Sequence, residues 1–297
     1  MKILLLGKNG QVGWELQRAL SPLGELIALD RHSDIYCGDL TKPIELAKTI
    51  LEIKPNVIVN AAAYTAVDKA ESEPELAKLV NSESVKVIAK SAQKINALLI
   101  HYSTDYVFSG EGDHYWDEND QTSSLNVYGQ TKLEGEQHIQ KYCTNYLILR
   151  TSWVYSTFGN NFAKTILNLA KNREKLSVIS DQYGAPTSAE LIADCTAIAL
   201  TQMIQQKNNS GIYHLVSSGE INWYEYAKLV IEEAKKNNIK LTCNELSPIP
   251  ATSYPLPAKR PYNSRMNNTK FKETFNVNLP EWQEGIIRLI KELSNYQ

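Results

Sequence analysis

A chain of 297 residues, 43% hydrophobic and 22% charged, has the composition of a globular protein and length enough for one large domain or two smaller ones. A net charge of -2 with no long block of like charge argues against nucleic acid and anionic membrane surfaces, and points to small-molecule partners. Cys37, Cys143, Cys195 and Cys243 stand far apart with no CxxC pair, the opening run Ile3 to Leu6 is too short for a signal segment, and no apolar run nears the ~18 residues of a membrane span; a cytoplasmic protein with reduced thiols is expected.

Lys2 to Leu6 is a continuous apolar run and reads as a buried parallel strand, with helical spacing from Trp14 to Leu20. Between them Gly7, Gly10 and Gly13 form GxxGxxG at a strand-to-helix turn. Glycines there let the backbone approach a pyrophosphate, whose charge is met by free amides at the helix N-terminus. Leu26 to Leu29 is a second strand with Asp30 at its end, where a carboxylate can accept bonds from an adenosine ribose. Arg31 beside it can equally hold a 2′-phosphate, so NADH and NADPH are both open. Asp39, after Cys37-Gly38, lies where it can bond an adenine amino group.

Ile44 to Ile53 reads as an amphipathic helix, and Val57 to Val59 as a third strand running into Asn60-Ala61-Ala62-Ala63-Tyr64-Thr65, whose small residues leave room for a cofactor. A long helix is expected over Glu71 to Gln93, and a strand over Leu98 to Tyr102. Ser103 and Thr104 follow at its carboxyl end, where parallel α/β sheets bind ligands. Gly110 to Ser124 is a polar loop. In the next helix Tyr128 and Lys132 are four positions apart, on one face and separated by roughly 6 Å of rise, so that an ammonium can lower a phenol's pKa from ~10 toward the range of a general acid.

Tyr146 to Arg150 reads as a strand leading to Trp153, an aromatic that either stacks on a ligand or fills an interdomain core. Beyond it a helix is expected over Phe162 to Asn172, a strand over Leu176 to Ile179, a loop over Asp181 to Thr187 and a helix over Ser188 to Gln205. Gly211 to Val216 reads as a strand returning to the main sheet and Trp223 to Lys236 as a helix. Pro248 to Pro261 holds five of the 11 prolines, with Arg260 among them, and reads as an irregular pocket wall. The five histidines show no metal-ligand spacing.

Together the glycine loop, Asp30, Asp39, Ala61 to Ala63, Ser103-Thr104-Asp105 and Tyr128-x-x-x-Lys132 resemble the extended short-chain dehydrogenase/reductase superfamily. Ser-Thr-Asp-Tyr-Val-Phe at Ser103 to Phe108, Tyr-Gly-Gln-Thr-Lys-Leu-Glu-Gly-Glu at Tyr128 to Glu136, Arg-Thr-Ser-Trp-Val-Tyr at Arg150 to Tyr155, Asp-Gln-Tyr-Gly-Ala-Pro-Thr at Asp181 to Thr187 and Arg-Pro-Tyr-Asn-Ser at Arg260 to Ser264 narrow the resemblance. Over essentially the whole chain they are similar to the dTDP-4-dehydrorhamnose reductase family.

That resemblance implies an α/β fold: a Rossmann-type doubly wound parallel sheet, residues 1–152 with about 187–221, and a smaller C-terminal substrate-binding α/β domain, about 153–186 with 222–297. It implies reduction by NADPH or NADH of the 4-ketone of a dTDP-linked 4-keto-6-deoxy sugar, in a homodimer. Gly7, Gly10, Gln11, Val12 and Gly13 would hold the pyrophosphate, Asp30 and Arg31 the ribose end, and Asp39 and Leu40 the adenine end. Ala62, Ala63, Tyr64, Thr65, Tyr102, Tyr128 and Lys132 would hold the remainder of the cofactor. Thr104, Asp105, Trp153 and Arg260 would face the substrate, with Tyr128, Lys132 and Thr104 as the catalytic set. The family is also implied to bind magnesium between subunits, at positions matched here by Glu15, Glu190 and Glu292. Two rivals are a dehydratase or epimerase of the same superfamily, disfavoured because Thr104 is followed by Asp105 and Tyr106 and not by an Asp-Glu pair, and a non-catalytic cofactor-binding subunit.

Overall fold

The computed structural model describes residues 1–205 and 209–295. The first half alternates strictly: β1 (Lys2–Leu6), α1 (Gln11–Leu20), β2 (Glu25–Leu29), α2 (Pro43–Ile53), β3 (Val57–Asn60), the short α3 (Val67–Ala70) and α4 (Pro74–Lys78), α5 (Ser84–Ile95), β4 (Leu98–Thr104), α6 (Val127–Tyr142) and β5 (Tyr146–Thr151). The second half adds β6 (Val154–Tyr155), α7 (Phe162–Asn172), β7 (Lys175–Ile179), β8 (Tyr183–Gly184), β9 (Thr187–Ser188), α8 (Ala189–Gln205), β10 (Gly211–His214), β11 (Ile221–Asn222), α9 (Trp223–Lys236), β12 (Glu245–Ile249), α10 (Thr269–Phe275) and α11 (Trp282–Ser294).

Six strands form one sheet in the order β10-β5-β4-β3-β1-β2, every neighbouring pair parallel. This is the doubly wound α/β fold the sequence predicts, with β10 returning to the sheet edge. Its central strands are continuous apolar runs because helices cover both faces and no side of the strand meets water. On one face Ile3, Leu5, Val59 and Ile100 pack with Leu16 and Leu20 of α1 and Ile192 and Leu200 of α8. On the other, Leu4, Leu6, Ile58 and Leu99 pack with Leu46 and Ile50 of α2, Ile88 of α5 and Ile139 of α6. The chain leaves β1 toward β2 on one side and re-enters at β3 on the other. Such a reversal opens a crevice at the carboxyl ends of β1 and β3, the ligand site of open α/β sheets.

A separate core joins α7, α9 and α11 through Ile166, Leu167, Tyr226, Val230, Trp282 and Ile286. Phe271 and Phe275 of α10 pack instead with the cluster around α8 on the main sheet. No helix among the described residues is long and apolar enough to cross a membrane.

Two expectations are corrected. The helix expected over Glu71 to Gln93 starts at Pro74, where a missing N–H costs nothing, and continues to Ile95 through one π turn at Leu79–Glu83. That turn presents the Asn81 carboxamide to the Tyr64 N–H at 2.8 Å and the Tyr64 carbonyl at 3.1 Å. The proline-dense segment is not irregular throughout, because Pro248 lies within β12, which among the described residues pairs with β7 alone. In that two-stranded sheet a residue without an N–H is tolerated, as on any edge. Strand β12, the short strands β6, β8, β9 and β11, and helices α3, α10 and α11 are additions to what the sequence predicts, β8 falling inside the loop expected over Asp181 to Thr187.

Candidate active site

The glycine loop is built for close approach. Gly7 has φ +90°, and a Cβ there would lie 2.6 Å from the Ala62 nitrogen; a Cβ on Gly13 would lie 1.9 Å from the Gly7 carbonyl oxygen. Gly10 is the N-cap of α1 with no side-chain cap, so the first amides of the helix stay available to an anion. Gly7, Gly10, Gln11, Val12, Asp30, Arg31, Asp39, Leu40, Ala62, Ala63, Tyr64 and Thr65 all line one cleft of about 900 Å³. The same cleft reaches Tyr102, Thr104, Asp105, Tyr128, Lys132 and Trp153. Gly13 is not on its surface; it acts by letting α1 pack against the loop. A loop folded this tightly because Gly7 and Gly13 lack a Cβ, beside uncapped helix amides, fits the pyrophosphate of a dinucleotide.

At the adenosine end, the Asp30 carboxylate accepts from the His32 N–H at 2.9 Å, from Ser33 Oγ at 3.1 Å and from Asn9 Nδ2. Desolvation works to raise its pKa, but the His32 and Ser33 bonds, with Lys8 nearby, hold the carboxyl below its ordinary value. Arg31 bonds His32 through Nε at 3.0 Å, so a cationic side chain stands beside the acid.

At the other end Thr104 caps a short turn: its hydroxyl accepts the Tyr106 N–H at 3.2 Å and donates to Asp105 Oδ1 at 2.9 Å. The second Asp105 oxygen is buried with no close hydrogen-bond partner among the described residues, and burial, opposed by the Ser264 and Thr104 hydroxyls, pushes this carboxyl up to about 6. The Tyr106 ring meets the edge of Tyr128 at 5.5 Å. Asn126 starts the helix by accepting the Gly129 N–H at 2.8 Å, which places Tyr128 and Lys132 on the wall of the cleft. The expected direct action of the ammonium on the phenol is not the arrangement found. Lys132 Nζ bonds the Tyr102 carbonyl at 2.6 Å and faces His101 Nε2 at 3.2 Å. Burial pushes the Tyr128 phenol up to about 12, opposed by the Thr104 hydroxyl and reinforced by Asp105, and burial pushes Lys132 down to about 8.

Three further positions differ from expectation in detail. Tyr102 lines the cleft, but its phenol turns away to Thr196 at 2.8 Å. Trp153, with φ +49°, lines the cleft and stacks on Trp223 at 3.4 Å, so the core reading of this aromatic holds while one side of it borders the cleft. Arg260 does not line the cleft; its guanidinium clamps Asp68 through bonds of 3.0 and 2.7 Å. Sequence reasoning missed Asn60, His101 and Tyr106. Only Tyr106 carried a signal, as part of the Ser103 to Phe108 stretch.

Glu15, Glu190 and Glu292 come from α1, α8 and α11 and are electrostatically coupled: after burial and the opposing Arg288, Glu292 and Glu15 push the Glu190 carboxyl up. Arg288 lies 2.9 Å from Glu292 and 3.7 Å from Glu190, and Arg18 lies 3.3 Å from Glu15. Among the described residues no three acidic, histidine or cysteine side chains gather closely enough to hold a metal.

A doubly wound sheet, a glycine cradle at its switch point and a phenol, amine and hydroxyl at the adjoining strand end define a dinucleotide-dependent dehydrogenase or reductase of the short-chain type. Residues 1–295 match the family model described as RmlD substrate binding domain. The chain is 59% identical over 293 residues to a dTDP-4-dehydrorhamnose reductase of Escherichia coli, covering 99% of this chain and 98% of the relative. Its fold is similar to the crystal structure of a dTDP-4-dehydrorhamnose reductase from Clostridium acetobutylicum (TM-score 0.88, 36% identity, 99% of each chain). It is also similar to one from Bacillus anthracis in complex with NADP (TM-score 0.87, 32% identity, 98% of this chain and 99% of that one). The chain belongs to the dTDP-4-dehydrorhamnose reductase family.

Proposed function

We propose that this chain reduces the 4-keto group of dTDP-4-dehydro-L-rhamnose to give dTDP-L-rhamnose, the last step of dTDP-rhamnose synthesis, with NADPH or NADH. The observation that carries this reading is the convergence of Thr104, Tyr128 and Lys132 on the cleft that begins at the glycine cradle. When bound, the cofactor supplies a hydride to C4 of the sugar. Tyr128 donates its proton to the alkoxide oxygen that forms, Lys132 holds the nicotinamide ribose and supports the phenol, and Thr104 places a hydroxyl dipole beside the developing charge. Asp105 and Trp153 bound the sugar side of the cleft. Gly10, Gln11 and Val12 meet the pyrophosphate, with Asp30 and Arg31 at the ribose and Asp39 and Leu40 at the adenine. Arg260, held by Asp68, bounds the nucleotide side through its remaining guanidinium N–H groups.

The proposed division of labour puts residues 1–152 with about 187–221 under the cofactor, and 153–186 with 222–297 under the sugar nucleotide. We further propose a cytoplasmic homodimer, in which the Glu15, Glu190 and Glu292 faces of two copies together complete a structural magnesium site; the coupled carboxylates support this. NADPH and NADH oxidation followed with dTDP-4-dehydro-L-rhamnose tests the reading directly. Stoichiometric cofactor consumption is expected. A tightly retained NAD with no net consumption would instead support a dehydratase or epimerase.

The glycine cradle supplies a separate check. Gly13→Ala forces a methyl against the Gly7 carbonyl, an overpacking cost of roughly 1–3 kcal/mol. The loop relieves the clash by moving into the pyrophosphate position. Titration of NADPH into Gly13→Ala is expected to show at least about tenfold weaker binding, about 1.4 kcal/mol; unchanged affinity would refute the assignment of this loop.

A further inference from the structure

Asn60 at the end of β3 and His101 on β4 stand opposite each other in the parallel register, and both are buried. The Ala62 N–H donates to Asn60 Oδ1 at 3.2 Å, which fixes the carboxamide and turns its NH₂ toward His101 Nδ1 at 3.0 Å. A neutral imidazole has one N–H and one lone pair. With a donor facing Nδ1, the lone pair sits there and the hydrogen sits on Nε2. That Nε2–H points at Lys132 Nζ, 3.2 Å away. An ammonium only donates, so this contact is repulsive for a charged lysine and a hydrogen bond for an uncharged amine, which still donates to the Tyr102 carbonyl at 2.6 Å.

We propose that Asn60 and His101 are positioning residues for the reduction: by directing the His101 N–H at Lys132 they favour its uncharged amine, and they require that amine to take up one proton when the cofactor binds. The step is –NH₂ plus a proton from solvent giving –NH₃⁺, with no other bond changed. The ammonium has no lone pair for the His101 N–H, so protonation turns it from β4 toward the cleft, where it can support Tyr128. The inference rests on the reading of the chain as a nicotinamide-dependent reductase.

The other groups around Lys132 are consistent with this. From its own helix come Tyr128, whose phenol burial keeps protonated, and Glu136, which favours the ammonium but is bound by Arg150 of β5. From β4 come His101 and the Tyr102 carbonyl, the Tyr102 phenol being engaged by Thr196 of α8. Burial holds His101 well below its ordinary value, so the ring is neutral.

Calorimetry of NADPH binding at about pH 9, a unit above the value to which burial pushes Lys132, in two buffers of different ionisation enthalpy reads the proton directly. Uptake approaching one proton per site is expected for the wild type and none for Lys132→Met. Asn60→Asp should keep cofactor binding but lose most of the uptake, because a carboxylate accepts the Nδ1–H and leaves Nε2 as an acceptor for the ammonium. Equal uptake in wild type and Asn60→Asp, or none in either, would overturn the inference. The long-range ¹H–¹⁵N spectrum of histidine-labelled wild-type protein gives a second reading that needs neither cofactor nor variant: an Nε2–H ring for His101 is expected, and an Nδ1–H ring would overturn the inference by itself. Absence of NADPH binding would overturn the reductase reading, and the tautomer would still decide this one.

Discussion

Tyr128→Phe is expected to lower kcat with NADPH and the keto-sugar nucleotide by about 10²–10⁴-fold, the usual contribution of a positioned general acid. The phenol lines the cleft beside the Thr104 hydroxyl, and with burial pushing it up to about 12 it keeps its proton at neutral pH. Removing one oxygen leaves the ring, its edge contact with Tyr106 and the helix start at Asn126 in place. Cofactor affinity should therefore change little, and the loss should fall on kcat, as it does when an interaction made mainly in the transition state is removed. Lys132→Met is expected to differ, raising the KM for cofactor as well as lowering kcat. The pH profile separates the two groups. A lysine pushed down to about 8 loses its charge as pH rises through that value, so kcat/KM should fall above about pH 8, well before the phenol ionises. Steady-state kinetics with less than about a threefold change in kcat for Tyr128→Phe would reject the proton-donor role.

Much of this site was legible because its parts sit at strand ends, and buried parallel strands announce themselves as short apolar runs. Lys2 to Leu6, Val57 to Val59 and Leu98 to Tyr102 each end within a few residues of a group that lines the cleft. The Tyr128 and Lys132 spacing was visible for the same local reason. What escaped depends on partners distant in the chain. Arg260 meets Asp68 across 192 positions, and no local pattern pairs them. His101 meets Asn60 through strand register and Lys132 through the packing of α6 on β4, so its tautomer is a property of three elements at once. The π turn before α5 arises where Asn81 answers the Tyr64 backbone, a tertiary demand overriding helical propensity. Helix α11 was missed although its pattern is local: Trp282, Ile286, Leu289 and Ile290 have the spacing of one buried helical face.

Glu136 and Arg150 carry the second large effect, on stability. Arg150 binds the carboxylate with Nε at 2.9 Å and Nη2 at 2.7 Å, the side chains are 2% and 1% exposed, and the guanidinium lies over the Phe108 ring at 5.0 Å. Removing one member strands an uncompensated charge in the interior, which typically costs about 3–5 kcal/mol. For a chain of this size, thermal unfolding of Glu136→Gln or Arg150→Met should fall by on the order of 10 °C. The double variant Glu136→Leu with Arg150→Met removes both charges and should recover most of that loss, so the cycle should show a large coupling between the sites. Additive single effects would show that the pair is not a unit. Activity is expected to follow a different course. Glu136 is the carboxylate that favours the Lys132 ammonium, so any variant lacking it should push that lysine lower still and move the alkaline fall of kcat/KM to lower pH. Recovery of the melting temperature in the double variant with the alkaline limb still displaced would separate what the ion pair does for the fold from what Glu136 does for the amine.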